Sequence, residues 1–160
     1  MDSFISQLDY PLFVVTAAAG AERSGCLVGF ASQCSINPVR FTVWLSKANQ
    51  TFRAARAAGQ LAVHLLRPDQ HRLAELFGGR SGDDGVDKFA GVPWTPGPGG
   101  VPVLDGCPAW FVGRIERQCD DGDHVAFLLA PVEHGTNGPP TNGVFRLSDA
   151  GDIAPGHPAD

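Results

Sequence analysis

The chain has 160 residues, of which 43% are hydrophobic and 18% are charged, and its formal net charge is -5. A domain of this length buries roughly 70% of the surface that its unfolded chain exposes, so we expect one sizeable core. The lysines and arginines are scattered, which disfavours nucleic-acid binding, and the apolar runs fall far short of the roughly 20 residues that cross a bilayer. The acidic start MDSFISQLDY does not resemble a signal peptide, so we expect a cytoplasmic protein.

Six runs rich in β-branched and aromatic residues predict β-strands. In chain order they are Leu12–Ala17, Gly25–Ser32, Arg40–Leu45, Leu61–Leu66, Ala109–Cys119 and His124–Glu133. The last two are joined by DDGD, whose Asp-Gly step is typical of a hairpin turn. Neighbouring strands with few helices predict a mainly β fold, an antiparallel barrel decorated by helices.

Two helices are predicted between these strands. In NQTFRAARAAG, Asn49 is placed to cap the helix and Gly59 to end it; in PDQHRLAELFGG, Pro68 stands at the start and Gly78 at the end. Residues 78–100 are rich in glycine, proline and acid, and predict a long surface loop. Residues 136–160 have a similar composition, and we expect a loosely held tail with at most one short strand at VFRL, after a domain of residues 1–135.

The four cysteines, Cys26, Cys34, Cys107 and Cys119, form no C-x-x-C pair, so we expect free thiols and no structural metal site. The sequence also lacks G-x-S-x-G, H-E-x-x-H, a Walker loop and G-x-G-x-x-G. Hydrolysis by a catalytic triad, ATP chemistry and a dinucleotide-binding α/β fold are therefore disfavoured.

The first candidate site is WLSKANQT, where a strand ends and a helix begins within a few residues. Unpaired backbone N–H groups and the positive end of a helix dipole point outward at such a position. Ser46, Asn49 and Thr51 add polar side chains, and Lys47 adds a positive charge. The pattern indicates an anion site for one terminal phosphate, or alternatively a capped helix with a solvated lysine.

The second candidate is SGCLVGFASQCSINP, in which Gly25 and Gly29 permit close approach of a backbone. Polar residues Ser32, Gln33 and Ser35 follow, and the Asn37-Pro38 step closes the segment with a turn. A flat ring could lie along this backbone. The alternative is an edge strand with a polar exit.

The third candidate is His124, which stands between the acidic turn and an apolar strand. It is either aimed at a ligand or simply the first polar residue of a hairpin strand. Of the other histidines, His64 is expected to be packed or paired within a strand, and His71 to lie on the solvent face of a helix. His134 and His157 fall in turn or tail sequence.

In their order and spacing, PLFVVTA, SINP, LSKANQT, LAVHLLRPDQHRLAELF, DKF, PVLDGCPAWF and GDH resemble the flavin reductase-like family of FMN-binding split barrels. The resemblance runs from about Tyr10 to Gly135. It implies a homodimeric, six-stranded antiparallel Greek-key split barrel with two or three peripheral helices, which holds FMN, or sometimes FAD, near the subunit interface. It further implies oxidation of NADH or NADPH and transfer of electrons to the flavin, which often serves a partner monooxygenase.

The resemblance also assigns site residues. Ser46, Lys47, Asn49 and Thr51 match the phosphate-binding turn, and the segment that borders the flavin ring and ribityl chain corresponds to Gly29, Phe30, Ala31, Ser32, Gln33, Cys34 and Ser35. His124 matches the histidine of the Gly-Asp-His motif near the flavin and nicotinamide, and is the expected catalytic residue. The chain departs from the family where Val28 and Gly29 stand in place of paired serines, and where Val39 replaces a second proline. Backbone N–H groups at Gly29 and Phe30 could serve instead.

Two other functions compatible with the sequence use the same barrel. One is a flavin-binding redox sensor or carrier without reductase turnover, which NAD(P)H consumption in air with added FMN would distinguish. The other is a barrel that binds deazaflavin F420 or haem, which the spectrum of a co-purified ligand would reveal.

Overall fold

The computed structural model describes residues 1–79, 87–120 and 122–153. The helices are α1 (Asp2–Ile5), α2 (Gln50–Ala57) and α3 (His71–Gly78). The strands are β1 (Phe13–Ala19), β2 (Glu22–Val28), β3 (Ala31–Ile36), β4 (Val39–Ser46), β5 (Gln60–Leu65), β6 (Trp94–Pro96), β7 (Pro102–Leu104), β8 (Ala109–Asp120) and β9 (His124–Thr136). Short 3-10 helices cover Pro98–Gly100 and Leu147–Ala150.

Seven strands form one antiparallel sheet in the order β2-β1-β5-β8-β9-β4-β3, and β6 and β7 form a separate hairpin. The two outermost strands, β2 and β3, are joined by Gly29 and Phe30 alone. Because so short a link cannot span an open sheet, the sheet curls so that the end of β2 lies beside the start of β3. The Trp44 backbone N–H donates to the Phe30 carbonyl at 2.9 Å, which extends the pairing of β3 with β4 into this link.

The mainly β class is confirmed, but the prediction of six strands is wrong for the large sheet, which has seven. The single strand expected over Gly25–Ser32 is interrupted at Gly29 and Phe30 and becomes the end of β2 and the start of β3. At this break the Tyr10 ring packs so closely that a Cβ on Gly29 would lie 2.6 Å from Tyr10 Cε2. Because Gly29 has no side chain, it leaves room for the Tyr10 ring at the point where β2 ends.

Other predicted turns are mostly confirmed. Asn37 and Pro38 form the turn between β3 and β4, and β8 pairs with β9 as the expected hairpin, although Asp121 of its turn lies outside the described residues. His134 lies within β9, opposite Phe111, rather than in a turn. Part of the long loop expected over 78–100 forms β6, and residues 80–86 lie outside the described part of the chain.

The barrel interior is filled by alternate apolar residues of the strands, as expected for a sheet with one buried face. Helix α2 covers this core with Phe52 and Ala55. Asn49 caps α2 as predicted, since its side chain accepts a hydrogen bond from the Thr51 N–H at 2.9 Å. Gly59 is not among the glycines with positive φ, so α2 does not end in a left-handed glycine cap.

A second apolar cluster lies on the outer face of β1 and includes Phe77 of α3, Phe89 and Phe145. Phe145 is fully buried, and its backbone N–H and carbonyl pair with Leu66 and Leu12. The structure around Phe145 therefore differs from the loosely held tail that was expected after residue 135. This aromatic side chain is part of the second apolar cluster. Residues 154–160, including His157, lie outside the described residues.

His64 is fully buried, which confirms that it is packed and paired. Its Nδ1 lies 2.9 Å from the Val14 carbonyl, and its Nε2 accepts a hydrogen bond from the Leu104 N–H at 2.9 Å. Burial lowers the pKa of His64 to about 4.

Among the helices of the described residues, none has the length and apolar character needed to span a membrane.

Candidate ligand-binding site

A cavity of about 290 Å³ opens where β2 ends, β4 passes into α2, and β9 begins. The segment after Phe145 closes one of its sides. The lining residues are Tyr10, Leu12, Cys26, Leu27, Val28, Gly29, Phe30, Trp44, Leu45, Ser46, Asn49, Gly78, His124, Leu147, Ala150 and Ile153. Five of the residues predicted from the sequence are thus brought together in one pocket: Gly29, Phe30, Ser46, Asn49 and His124.

Ser46, Asn49 and His124 make the polar corner of this pocket. Ser46 and His124 are directly opposite each other in the pairing of β4 with β9. Ser46 Oγ accepts a hydrogen bond from the Ala48 N–H at 3.2 Å, and Asn49 caps α2. The corner therefore lies at the positive end of the α2 dipole, where a negative group is stabilised.

Lys47 and Thr51 are not among the residues that line the pocket. Lys47 Nζ lies 2.7 Å from Asp120 Oδ1 on the β8–β9 hairpin, and the Lys47 hydrogen bond lowers the pKa of the Asp120 carboxyl. Thr51 is fully buried, with its Oγ1 at 2.9 Å from Ser24 Oγ. The structure places Thr51 in the protein interior and pairs Lys47 with a carboxylate, and a ligand role for either residue stays a prediction.

His124 is held from two sides. Its Nδ1 lies 2.7 Å from Asp123 Oδ1, and its ring centroid lies 5.0 Å from that of Phe30. The Phe30 ring in turn lies 6.1 Å from that of Tyr10. The three rings line one side of the pocket and present both apolar faces and an imidazole to its contents.

The remaining predicted residues, Ala31, Ser32, Gln33, Cys34 and Ser35, lie on β3 outside the pocket lining. β3 is an edge strand of the sheet. Several of its side chains bond locally: Ser32 Oγ donates to the Gln33 carbonyl, Gln33 Nε2 donates to the Ser35 carbonyl, and Cys34 Sγ lies 3.2 Å from Thr42 Oγ1. These five residues do not line the pocket with the others, so their flavin contact stays a prediction.

Sequence reasoning missed Tyr10, Cys26 and the wall made by Leu147, Ala150 and Ile153. Cys26 is buried, and burial raises the pKa of its thiol to about 11, so it lines the pocket in its neutral form. A signal for the wall was present in LSDAGDI, whose apolar residues recur every third position. The glycine- and proline-rich sequence around this segment indicated a loosely held tail, so the spacing was not interpreted as a helix.

Comparison with known proteins places this architecture. The sequence profile described as the flavin reductase like domain matches residues 5–146. The chain belongs to the flavin reductase-like family. This confirms the resemblance that the sequence motifs indicated.

Relatives with named activities are similar to this chain in sequence. The chain is 28% identical over 129 residues to a ferric-chelate reductase (NAD(P)H) of Archaeoglobus fulgidus, which covers 79% of this chain and 76% of the relative. It is 35% identical over 108 residues to the reductase subunit HsaB of a flavin-dependent monooxygenase of Rhodococcus jostii, covering 64% of this chain. It spans only 53% of that subunit's length.

Solved structures agree in fold. An NADH:FAD oxidoreductase of Streptomyces globisporus superposes with a TM-score of 0.82 at 25% identity, covering 92% of this chain and 86% of that one. A flavin reductase domain protein of Arthrobacter sp. FB24 gives a TM-score of 0.82 at 21% identity, covering 99% of this chain and 95% of the other. At 21% identity, the similarity to the Arthrobacter protein bears on the fold alone.

Proposed function

We propose that this protein is an NAD(P)H-dependent flavin reductase that binds FMN, or FAD, and supplies reduced flavin to a monooxygenase. One observation carries the proposal: in a flavin reductase-like domain, a single pocket joins the start of α2 to an apolar wall, with His124 between them. Relatives named as NADH:FMN oxidoreductase and as reductase subunits of monooxygenases support this activity. A cytoplasmic location stays a prediction.

The pocket fits a flavin by the chemistry of its lining. A flavin nucleotide has a phosphate at one end and a planar ring at the other, and the pocket has a polar corner at a helix N-terminus and apolar side chains elsewhere. Its volume is near the lower end of ligand pockets, which span roughly 300–1,000 Å³. Bound flavin would supply the redox chemistry, by accepting a hydride from the nicotinamide.

The residues of the chain would bind and orient the two ring systems. The start of α2, with Ser46 and Asn49, would hold the phosphate. Lys47, which is paired with Asp120, would add positive charge beside it. Backbone N–H groups at Gly29 and Phe30 would face the ring. His124, oriented by Asp123, would position the nicotinamide or stabilise negative charge that develops on the reduced ring.

A homodimer is part of the proposal, because β3 is an edge strand and exposed apolar residues flank the turn that joins it to β4. Ile36 is 83% exposed and Val39 is 51% exposed. Pairing this surface with a second copy would cover both and would bring β3 residues near a shared ligand.

The test is an anaerobic titration of purified protein, first with FMN and then with NADH, followed by absorbance. We expect saturable FMN binding followed by bleaching of the flavin band on addition of NADH. Binding without bleaching would favour the carrier or sensor function, and absence of FMN binding would contradict the proposal.

Three variants in the same titration assign the roles. Lys47→Ala should weaken FMN binding by roughly 10- to 100-fold, since a charge-assisted hydrogen bond is lost. Asp120→Asn is its matched control, because it removes the partner and leaves the lysine, and FMN should bind at least as tightly.

His124→Ala should bind FMN but reduce it more slowly, and an unchanged rate would remove His124 from the reaction.

A further inference from the structure

The segment Leu147–Ile153, which we call the C-terminal wall, presents three apolar side chains to the pocket. Leu147, Ala150 and Ile153 all line the cavity. They recur at every third residue, and in a 3-10 helix residues three apart lie on the same face. The Ile153 N–H donates to the Ala150 carbonyl at 3.0 Å, so this repeat continues past the helix Leu147–Ala150.

The first end of the C-terminal wall is held by Asp9. The Asp9 carboxylate accepts hydrogen bonds from the Ser148 N–H at 2.9 Å, from Ser148 Oγ at 2.9 Å and from Arg146 Nε at 3.1 Å. The Leu147 N–H donates to the Tyr10 carbonyl at 3.0 Å. These bonds tie the wall to the segment that leads into β1.

The second end is held by α3. His71 Nε2 lies 2.7 Å from Asp152 Oδ1. A Cβ built on Gly78 would lie 3.6 Å from Ile153 Cγ2, which places Ile153 beside the end of α3. The C-terminal wall is thus fixed at both ends, with its polar residues bonded away from the pocket and its apolar residues turned toward it.

A ligand that fills this pocket meets a polar corner at the start of α2 and an apolar surface at the C-terminal wall. FMN matches that gradient, because its phosphate and the dimethylbenzene edge of its ring stand at opposite ends of the molecule. A nicotinamide carries a polar carboxamide instead, and an 8-hydroxy-deazaflavin carries a hydroxyl where flavin has a methyl group. A hydroxyl buried against an apolar surface is left without a hydrogen-bond partner, which weakens binding.

Resting on the proposed function, we propose that the C-terminal wall recognises the dimethylbenzene edge of the flavin ring and selects FMN over ring systems without its two methyl groups. The specificity-determining residues are Leu147, Ala150 and Ile153. Asp9 and His71 are positioning residues that hold the wall against the pocket.

The experiment is a cycle that combines a change in the protein with a change in the ligand, read as dissociation constants from flavin fluorescence. FMN and 7,8-didemethyl-FMN are titrated into wild type, Ile153→Ala and Leu147→Ala. Removing two buried methyl groups should weaken binding to wild type by roughly 10- to 15-fold. In either wall variant the same ligand change should cost less than about threefold, because the contact is already lost.

Leu73→Ala is the matched control. Leu73 belongs to α3 and packs against the outer cluster, but it is not among the residues that line the pocket, so its variant should keep the wild-type ratio. Leu147 is 39% exposed, so Leu147→Ala is expected to fold even if Ile153→Ala does not.

The outcomes separate the two proposals. If wild type binds FMN and is reduced by NADH, but the ratio is the same in wild type and wall variants, only the role of the C-terminal wall is overturned. If wild type does not bind FMN, the proposed function and the wall both fail.

Discussion

Two histidines show how surroundings determine what a residue can do. His64 is fully buried, and the hydrogen bonds that its two ring nitrogens make, with the Val14 carbonyl and the Leu104 N–H, join β1 and β7 to β5. His124 is partly exposed at the rim of a pocket beside Phe30 and Asp123. The first is a structural link between strands, whereas the second is accessible to a ligand.

The surroundings of His64 predict acid sensitivity. Its folded-state pKa of about 4 lies below the roughly 6.5 of an unfolded chain, so the stability it contributes is fully present above about pH 6.5 and is lost as the pH falls toward 4. The loss is about 3 kcal/mol once the pH reaches 4, and about 2 kcal/mol of it falls between pH 7 and pH 5. Urea unfolding at pH 7, 6 and 5 measures it.

The matched variant is His64→Gln, whose amide can still donate to the Val14 carbonyl and accept from the Leu104 N–H. Between pH 7 and pH 5, the free energy of unfolding of this variant should fall by about 2 kcal/mol less than that of wild type. Equal pH dependence in the two proteins would show that protonation of His64 does not govern acid stability.

At the scale of elements, close contacts between glycines and aromatic rings decide how α3 packs on β2. A Cβ on Gly25 would lie 2.7 Å from Phe77 Cε1 and 3.3 Å from Phe89 Cζ, and both rings are buried. Lys88 reinforces the junction, since its Nζ donates to the Gly25 carbonyl at 2.9 Å and to the Phe77 carbonyl at 3.2 Å. Glycine at position 25 therefore lets helix and strand approach.

Gly25→Ala should destabilise the fold by about 1–3 kcal/mol, because the buried rings have no room to move. Gly59→Ala serves as the control, since a Cβ there would meet no atom within 4 Å. That variant should be neutral or stabilised by about 0.4–1 kcal/mol. Thermal unfolding compares the two, and a neutral Gly25→Ala would show that α3 can shift on β2.

At the scale of the molecule, the barrel has an exposed edge. β3 ends the sheet order, and the exposed Ile36 and Val39 are the last residue of β3 and the first residue of β4. Such an edge favours association with another chain unless it is covered.

We predict a dimer in solution that is weakened by the double variant Ile36→Asp and Val39→Asp, measured by sedimentation velocity over a range of concentrations. Phe4→Asp is the control, because Phe4 is 61% exposed but belongs to α1, away from the sheet edge in sequence. A wild-type chain that stays monomeric at all concentrations would contradict the prediction.

Much of the architecture could be predicted from local patterns. Alternating β-branched residues indicated the strands, Asn49 indicated the start of α2, and the ordered motifs indicated the family. The same local reasoning merged the end of β2 with β3, because nothing near Gly29 in the sequence shows that Tyr10 packs on it.

The sequence by itself determined the β class, the hairpins and the polar residues at the start of α2, since each depends on neighbours a few positions away. Only the tertiary structure decided that Lys47 pairs with Asp120, that Thr51 is buried against Ser24, and that Leu147, Ala150 and Ile153 line the pocket. Those contacts join residues far apart in the chain. Their energies arise from burial and hydrogen bonding across the closed barrel, which no local pattern contains.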